Sequence, residues 1–268
     1  MAARTTSYAL ITGATSGFGY EFVKLFAHDG YNLILVARDS EKLNALAAEI
    51  SGRYGVITIP FPKDLFDPRA AEELYLEVKA NNYRVDTLVN DAGQGEHGPF
   101  IHTDLQRELN IIQLNVISLV TLTKLFLQDM VFRGHGRILQ VASLLAKYPT
   151  PLMAVYGGTK AFVLSFSEAV TNELQGTGVT MTVLLPGASD TDFFNKAGAE
   201  NTVVANDTEL SDPADVAKDG YEALFRGDKK VISGLRNKIQ GAVANVTPDS
   251  KLADQMRKQM EEKTEEDQ

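Results

Sequence analysis

Cysteine is absent from this chain of 268 residues. That excludes disulfides, thiol nucleophiles and cysteine-ligated metals, and it fits a reducing compartment. Histidine is scarce: His28, His97, His102 and His135 are scattered without ligand spacing, so no metal is expected. Positive charge is in deficit, 26 Lys and Arg against 35 Asp and Glu, and the resulting −9 argues against nucleic acid as a partner. No apolar run approaches the length of a membrane span. The most apolar stretch, residues 111–130, is interrupted by Gln113, Asn115, Ser118, Thr121, Thr123 and Lys124 and reads as a buried helix. The first seven residues lack the apolar stretch of a signal peptide, so a cytoplasmic location without membrane contact is expected. For the same reason the acceptor patterns Asn206-Asp207-Thr208 and Asn245-Val246-Thr247 read as chance. No Gly-x-Ser-x-Gly elbow is present, which disfavours a serine hydrolase.

What is present is ordinary globular material, 44% hydrophobic and 23% charged, at a length that suits one large α/β domain. Apolar, β-branched runs at 8–12, 32–37, 56–60, 87–90, 136–142, 179–185 and 230–233 read as strands. Helical patterns at 17–29, 40–54, 68–81, 103–133, 155–175 and 213–226 alternate with them. The strands do not alternate apolar with polar, so both faces are buried. The expectation is a single doubly wound, parallel, seven-stranded Rossmann-type sheet with helices on both faces, spanning residues 1–234. Residues 189–212 form a long polar interruption with the character of a lid. Residues 235–268 read as a helical extension, with Ile239, Val243, Val246, Leu252, Met256 and Met260 at helical spacing and a break near Pro248. That stripe should pack on the domain or on a second subunit, with contact to a membrane surface as the alternative. The acidic end, Glu261, Glu262, Glu265, Glu266 and Asp267, reads as a solubilising, disordered tail.

The segment Thr12-Gly13-Ala14-Thr15-Ser16-Gly17-Phe18-Gly19 follows the first strand and opens the first helix, the context a dinucleotide loop requires. Gly13 permits the turn, Gly17 the approach of the pyrophosphate and Gly19 close helix packing. The helix N-terminus then offers N–H groups to the phosphates. The second strand ends in Ala37-Arg38, where a site for NAD usually has a carboxylate to bind the ribose 2′-OH. Arg38 suits a 2′-phosphate, Ser16 could add a hydrogen bond, and Asp39 should cap the next helix. NADP(H) is therefore expected over NAD(H).

Tyr156 and Lys160 lie one helical turn apart, with Ser143 upstream. An ammonium at roughly 5 Å in an effective dielectric of about 20 favours phenolate by about 3 kcal/mol, which would lower the phenol pKa by roughly 2. Ser143 could hold a substrate oxygen beside the phenol. Tyr20/Lys24 and Tyr75/Lys79 share the spacing, and Ser7 precedes Tyr20 as Ser143 precedes Tyr156. Context separates them. Ser7 and Tyr20 would sit at opposite ends of a strand, about 20 Å apart. Ser143 ends a strand on the side where open α/β sheets bind ligands.

These elements, in this order, resemble the short-chain dehydrogenase/reductase family from Tyr8 to about Gly234. The glycine loop at residues 12–19 resembles its nucleotide loop, and Asp64-Leu65 its adenine-holding element. Asn90-Asp91-Ala92-Gly93 resembles its Asn-Asn-Ala-Gly element, with Asp91 in place of the second asparagine. Asn115 matches the active-site asparagine, and Ser143, Tyr156 and Lys160 the catalytic trio. Pro186-Gly187 through Thr191 resembles the segment that closes over the nicotinamide. The resemblance implies reduction of a carbonyl by NADPH. Tyr156 would supply the proton, Lys160 would tune it and bind the nicotinamide ribose, Ser143 would polarise the carbonyl, and Asn115 would position a water. It also implies a homo-oligomer, a dimer or tetramer. For Asp91 a structural role is expected. The substrate side, Ser143, Leu144, Leu145, Tyr148, Met153, Phe193 and Phe194, favours a hydrophobic ketone or aldehyde, and no arginine stands out as a carboxylate clamp. The alternatives are a catalytically silent NADP-binding scaffold or regulator, and a hydrolase or isomerase on the same fold.

Overall fold

The computed structural model describes residues 7–207 and 209–263. Parts of the acidic tail and of the Asn206-Asp207-Thr208 pattern, Glu265, Glu266, Asp267 and Thr208, lie outside the described residues. The chain begins with β1 (Ser7–Thr12), α1 (Gly17–His28), β2 (Asn32–Ala37), α2 (Ser40–Tyr54), β3 (Thr58–Pro62), α3 (Ala70–Ala80) and β4 (Arg84–Asn90). After α4 (Leu105–Ile112) and α5 (Leu119–Arg133) come β5 (Gly136–Val141), α6 (Ala154–Glu173) and β6 (Val179–Leu185). Two short helices follow, α7 (Phe193–Ala197) and α8 (Val203–Asp207), then α9 (Pro213–Arg226), β7 (Lys230–Ile232), α10 (Leu235–Ala244) and α11 (Asp249–Met260).

The seven strands form one parallel sheet in the order β3-β2-β1-β4-β5-β6-β7. The winding reverses between β1 and β4, and a crevice opens there at the carboxyl ends of the strands. Both faces are covered. Phe22, Val23 and Phe26 of α1 pack on one side with Val216 and Leu224 of α9. Leu74 and Val78 of α3 pack on the other with Leu122, Phe126 and Met130 of α5. Full burial of Leu10, Ile11, Ile34 and Leu35 in adjacent strands explains the lack of alternation in their sequence.

Four expectations are corrected. β3 lies two residues later than read, with Pro60 and Pro62 inside it. It is an edge strand, where a missing N–H costs nothing in the ladder. The helix expected over 103–133 starts at Leu105, capped by Asp104, which accepts from the Arg107 N–H at 2.8 Å. It then widens into a π-turn at Gln113–Ser118. That continuous helical stretch, 29 residues, is long and apolar enough by length and composition to cross a membrane, with half of its most apolar window buried. Here it packs through Leu122, Phe126 and Met130 onto the sheet. The polar interruption at 189–212 is not a bare loop: it holds α7 and α8, and its ends are joined where the Asp190 N–H donates to the Ser211 carbonyl. The extension divides at Pro248 into α10 and α11 as expected. Its apolar stripe is split too: Leu252, Met256 and Met260 are buried, whereas Leu235, Ile239, Val243 and Val246 are exposed.

Candidate active site

The crevice at the β1/β4 reversal continues into a cavity of about 820 Å³. Its first wall is the glycine-rich turn. Gly13 (φ 71°) and Gly17 (φ 52°) take left-handed backbone there, and a side chain on Gly19 would strike the Gly13 carbonyl. Thr12 fastens this turn to the end of β4, its Oγ1 accepting from the N–H groups of Asp91 (3.0 Å) and Ala92 (3.1 Å). The cradle and the helix N-terminus behind it fit a dinucleotide pyrophosphate.

The floor is built by β5 and α6. Ser143, Tyr156 and Lys160 are each no more than 8% exposed, yet all three line the cavity. The Ser143 side chain accepts from the Leu145 N–H at 3.1 Å, which fixes it at the end of β5, and it hydrogen-bonds the Tyr156 phenol. Lys160 donates to the Val141 carbonyl at 2.8 Å, with its ammonium 5.8 Å from the Tyr156 ring centroid. The three residues therefore converge as expected. The expected fall in the phenol pKa does not occur. Burial, with a smaller contribution from the Asp91 charge, pushes Tyr156 up to about 12 against the favourable Ser143 hydrogen bond. A neighbouring ammonium favours phenolate, but desolvation dominates in a buried site. Burial also lowers Lys160 to about 8, opposed by the Asp91 charge.

Asn115 sits in the π-turn and is buried. Its side chain accepts from the Gln94 N–H (3.0 Å) and donates to the Gln94 carbonyl (2.9 Å) and Thr159 Oγ1 (3.0 Å). It clamps the turn after Gly93 against α6. A π-turn at such a place is a common device for re-aiming a functional residue. Asn90 donates to Thr123 and Gln140, tying β4 to α5 and β5, so the structural role in this element is its own. Asp91 does not stabilise neighbouring strands as expected: it lines the cavity beneath the glycine turn and accepts the Gly19 N–H.

Leu144, Leu145, Tyr148, Met153, Phe193 and Phe194 line the same cavity, as do Pro186, Gly187 and Thr191, the last beside Gly17. Phe193 covers Tyr156 with ring centroids 4.9 Å apart. The Tyr148 hydroxyl is committed to the Gln240 carbonyl of α10 at 2.9 Å. Ser16, Gly17, Phe18, Ala92 and Gly93 line the mouth. Thr15, Gly19, Arg38, Asp64, Leu65, Asn90 and Asn115 do not line the cavity. Arg38 is exposed, its guanidinium 4.9 Å from the Phe66 ring centroid, and Asp39 caps α2 as expected by accepting the Lys42 N–H at 3.0 Å.

Several lining residues carried no readable signal. Lys196 of α7 reaches back to Ser16 Oγ (3.4 Å) and pairs with Asp192 (3.1 Å), so the lid touches the glycine turn. Arg107 donates to the Lys196 carbonyl (2.8 Å), and the His97 N–H donates to that of Ala197 (2.9 Å), holding α7 from below. Arg236, Gln255, Met256, Gln259 and Met260 bring the extension into the wall, where Met260 joins Met153, Tyr156 and Val204 in one apolar cluster. Arg236 places an arginine at the cavity where none was expected. The amphipathic spacing of α11 was legible, but the surface it covers was not.

Known proteins resemble this chain in sequence and fold. A very-long-chain 3-oxoacyl-CoA reductase of Phaeosphaeria nodorum is 38% identical over 177 residues, 65% of this chain and 52% of that protein. The chain thus spans about half the length of that relative. A sulfoacetaldehyde reductase 2 of Chromohalobacter salexigens is 39% identical over 186 residues, 69% of this chain and 73% of that one. Among solved structures, a short-chain dehydrogenase from Sphingobium yanoikuyae in complex with NADPH superposes with a TM-score of 0.78 at 28% identity, covering 90% of this chain and 94% of that one. A 7β-hydroxysteroid dehydrogenase superposes at 0.83 and 28% identity, covering 94% and 96%. A family model described as short chain dehydrogenase matches residues 7–202, most of the sheet and all of the Ser143–Tyr156–Lys160 floor, and the chain belongs to that family.

Proposed function

We propose that this protein is an NADPH-dependent reductase of bulky, apolar ketones or aldehydes. The observation that carries this reading is the convergence of Ser143, Tyr156 and Lys160 on one cavity that runs from a dinucleotide cradle to an apolar chamber. The cofactor, when bound, supplies the hydride. The Ser143 hydroxyl donates to the carbonyl oxygen of the substrate and polarises it. Tyr156 gives that oxygen its proton. Burial raises the phenol to about 12, so Tyr156 is protonated at neutral pH and carries the proton to be given. Lys160, held by the Val141 carbonyl, offers its remaining N–H groups to the cofactor ribose and places positive charge near the phenol. Asn115 keeps the Gly93–Gln94 turn in place beside Lys160, and its part in this reading is to position a proton-relaying water there.

Preference for NADPH rests on Ala37, which brings no carboxylate to the ribose, and on exposed Arg38, whose guanidinium is held over Phe66 and free to take a 2′-phosphate. Asp64 and Leu65, at the end of β3, would hold the adenine. The curated relatives act on acyl chains or small anionic aldehydes by name, and the apolar part of the lining supports the bulkier class. Leu145, Met153, Phe193, Val204 and Met260 pack with Tyr156 in one apolar cluster. Exposed Leu105, Leu109, Ile117, Val131, Phe132 and Phe162 on α4, the π-turn, α5 and α6 support a homo-oligomer, which light scattering would read directly.

The test is consumption of NADPH and of NADH with a panel of carbonyls. Bulky apolar ketones should give the highest kcat/KM, NADPH should exceed NADH, and Arg38→Ala should cost NADPH roughly 10–100-fold with little change for NADH. Preference for sulfoacetaldehyde would contradict the apolar chamber, and faster turnover with NADH would contradict the Arg38 argument. Cofactor binding without turnover of any carbonyl would leave a silent nucleotide-binding protein as the better reading.

A further inference from the structure

Asp91 puts a carboxyl group in the cavity wall. It follows β4 directly, and its backbone N–H is fixed on Thr12 Oγ1 at 3.0 Å. Its carboxylate accepts the N–H of Gly19, within the first turn of α1. Oδ2 lies 3.0 Å and 2.8 Å from where side chains on Gly13 and Gly19 would begin. The group therefore occupies the underside of the glycine turn, at the positive end of the helix that a pyrophosphate would also address.

The surroundings do little to discharge it. From α6, Lys160 is the cation whose charge reaches Asp91, but its ammonium is committed to the Val141 carbonyl. Tyr156, also on α6, feels the Asp91 charge and remains a neutral phenol. From α1 comes the Gly19 N–H, while the Thr12 hydroxyl of β1 accepts the Asp91 backbone N–H and donates to the Val89 carbonyl, giving nothing to the carboxyl. Arrival of two phosphates would put like charges at one helix end. A carboxylic acid removes the conflict and loses nothing in shape: its carbonyl oxygen still accepts the Gly19 N–H, and its O–H becomes a donor, as an asparagine amide would be.

We propose that Asp91 takes up one proton from solvent when the dinucleotide docks, so that this protein's affinity for its cofactor weakens as pH rises through neutrality. The step is carboxylate plus proton to carboxylic acid, with no change of oxidation state. Burial, opposed by Lys160, already raises the free-state carboxyl to about 7, so the proton is available near neutral pH. The inference rests on the reading that a dinucleotide occupies the cleft.

Difference infrared spectroscopy of the full chain, with and without NADPH near neutral pH, tests it. The wild type should gain a carboxylic-acid carbonyl stretch on binding, and Asp91→Asn should not. The wild-type Kd for NADPH should rise by up to about tenfold per pH unit above neutrality, and the variant should lose the portion of that slope owed to the carboxyl. Carbon-13 shifts of labelled aspartate carboxyls in the wild type read the same proton if the variant fails to fold. NADPH that binds while Asp91 stays ionised overturns the inference alone. NADPH that does not bind at all removes the nucleotide reading and this inference with it.

Discussion

Two tyrosine–lysine pairs in this molecule share one local geometry. Tyr75 with Lys79 and Tyr156 with Lys160 have the same separation, and in each the ammonium lies 5.8 Å from the ring centroid. On α3 the pair is already spent: the Tyr75 hydroxyl (3.3 Å) and the Lys79 ammonium (2.7 Å) both donate to Asp129 Oδ2 on α5, at the surface. On α6 the phenol meets Ser143 and the ammonium a backbone carbonyl, both buried at the carboxyl end of β5. Spacing makes the cation–ring contact. What the contact can do depends on whether a carboxylate has already claimed it and on whether a crevice lies in front of it.

The sharpest way to break this comparison is to remove one hydroxyl from each pair. Tyr156→Phe should lower kcat by roughly 10²–10⁴, the usual worth of a positioned acid. Tyr75→Phe should leave kcat unchanged and cost about 1 kcal/mol or less of stability, read from denaturant unfolding. Equal losses in steady-state turnover would mean that position in the fold does not separate the two.

Much of this contrast is legible in the sequence. The unalternating Ile, Val and Leu of Leu10, Ile34 and Leu88 identify buried parallel strands, and parallel order places Ser143 at a ligand-binding end. The limits have physical causes. Pro60 and Pro62 argue against a strand unless it is known to be an edge. The π-turn at Asn115 is hidden because the helical hydrophobic pattern runs through it. Lys196 looks like any surface lysine until α7 folds over the glycine turn. The sign of the Tyr156 shift was missed because desolvation depends on everything packed around the ring, and a lysine four residues away reports only one charge.

A second comparison concerns the acids beside the two pairs, Asp91 and Asp129. The Asp91 carboxyl is raised from 3.8 to about 7, so the cofactor-free folded state keeps a proton that the unfolded chain has released. Its contribution to stability is full below about pH 4 and is lost as pH rises through about 7. Lys160 is lowered from 10.5 to about 8, so its contribution is full above about pH 10.5 and is lost as pH falls through about 8. Thermal melts of the cofactor-free protein should therefore show a minimum between these two values. Asp91→Asn should remove the acid side of that minimum, and Asp129→Asn should leave it. A wild-type melting profile flat from pH 4 to pH 8 would contradict the burial ascribed to Asp91.

The smallest expected effect separates the two lysines. Lys79 is about half exposed and its ion pair with Asp129 is screened, so Lys79→Met should cost about 0.2–1 kcal/mol and leave turnover alone. The loss should shrink further in high salt. Lys160→Met should behave the other way round. Taking a buried charge out of the core removes a desolvation cost, so melting at neutral pH should hold steady or rise, while KM for the cofactor rises and kcat falls. Such an inversion, with one lysine mattering slightly for stability and not for rate and the other for rate and not for stability, cannot come from the sequence interval they share. It can come only from what each helix faces: α5 and its carboxylate for one, the cavity for the other.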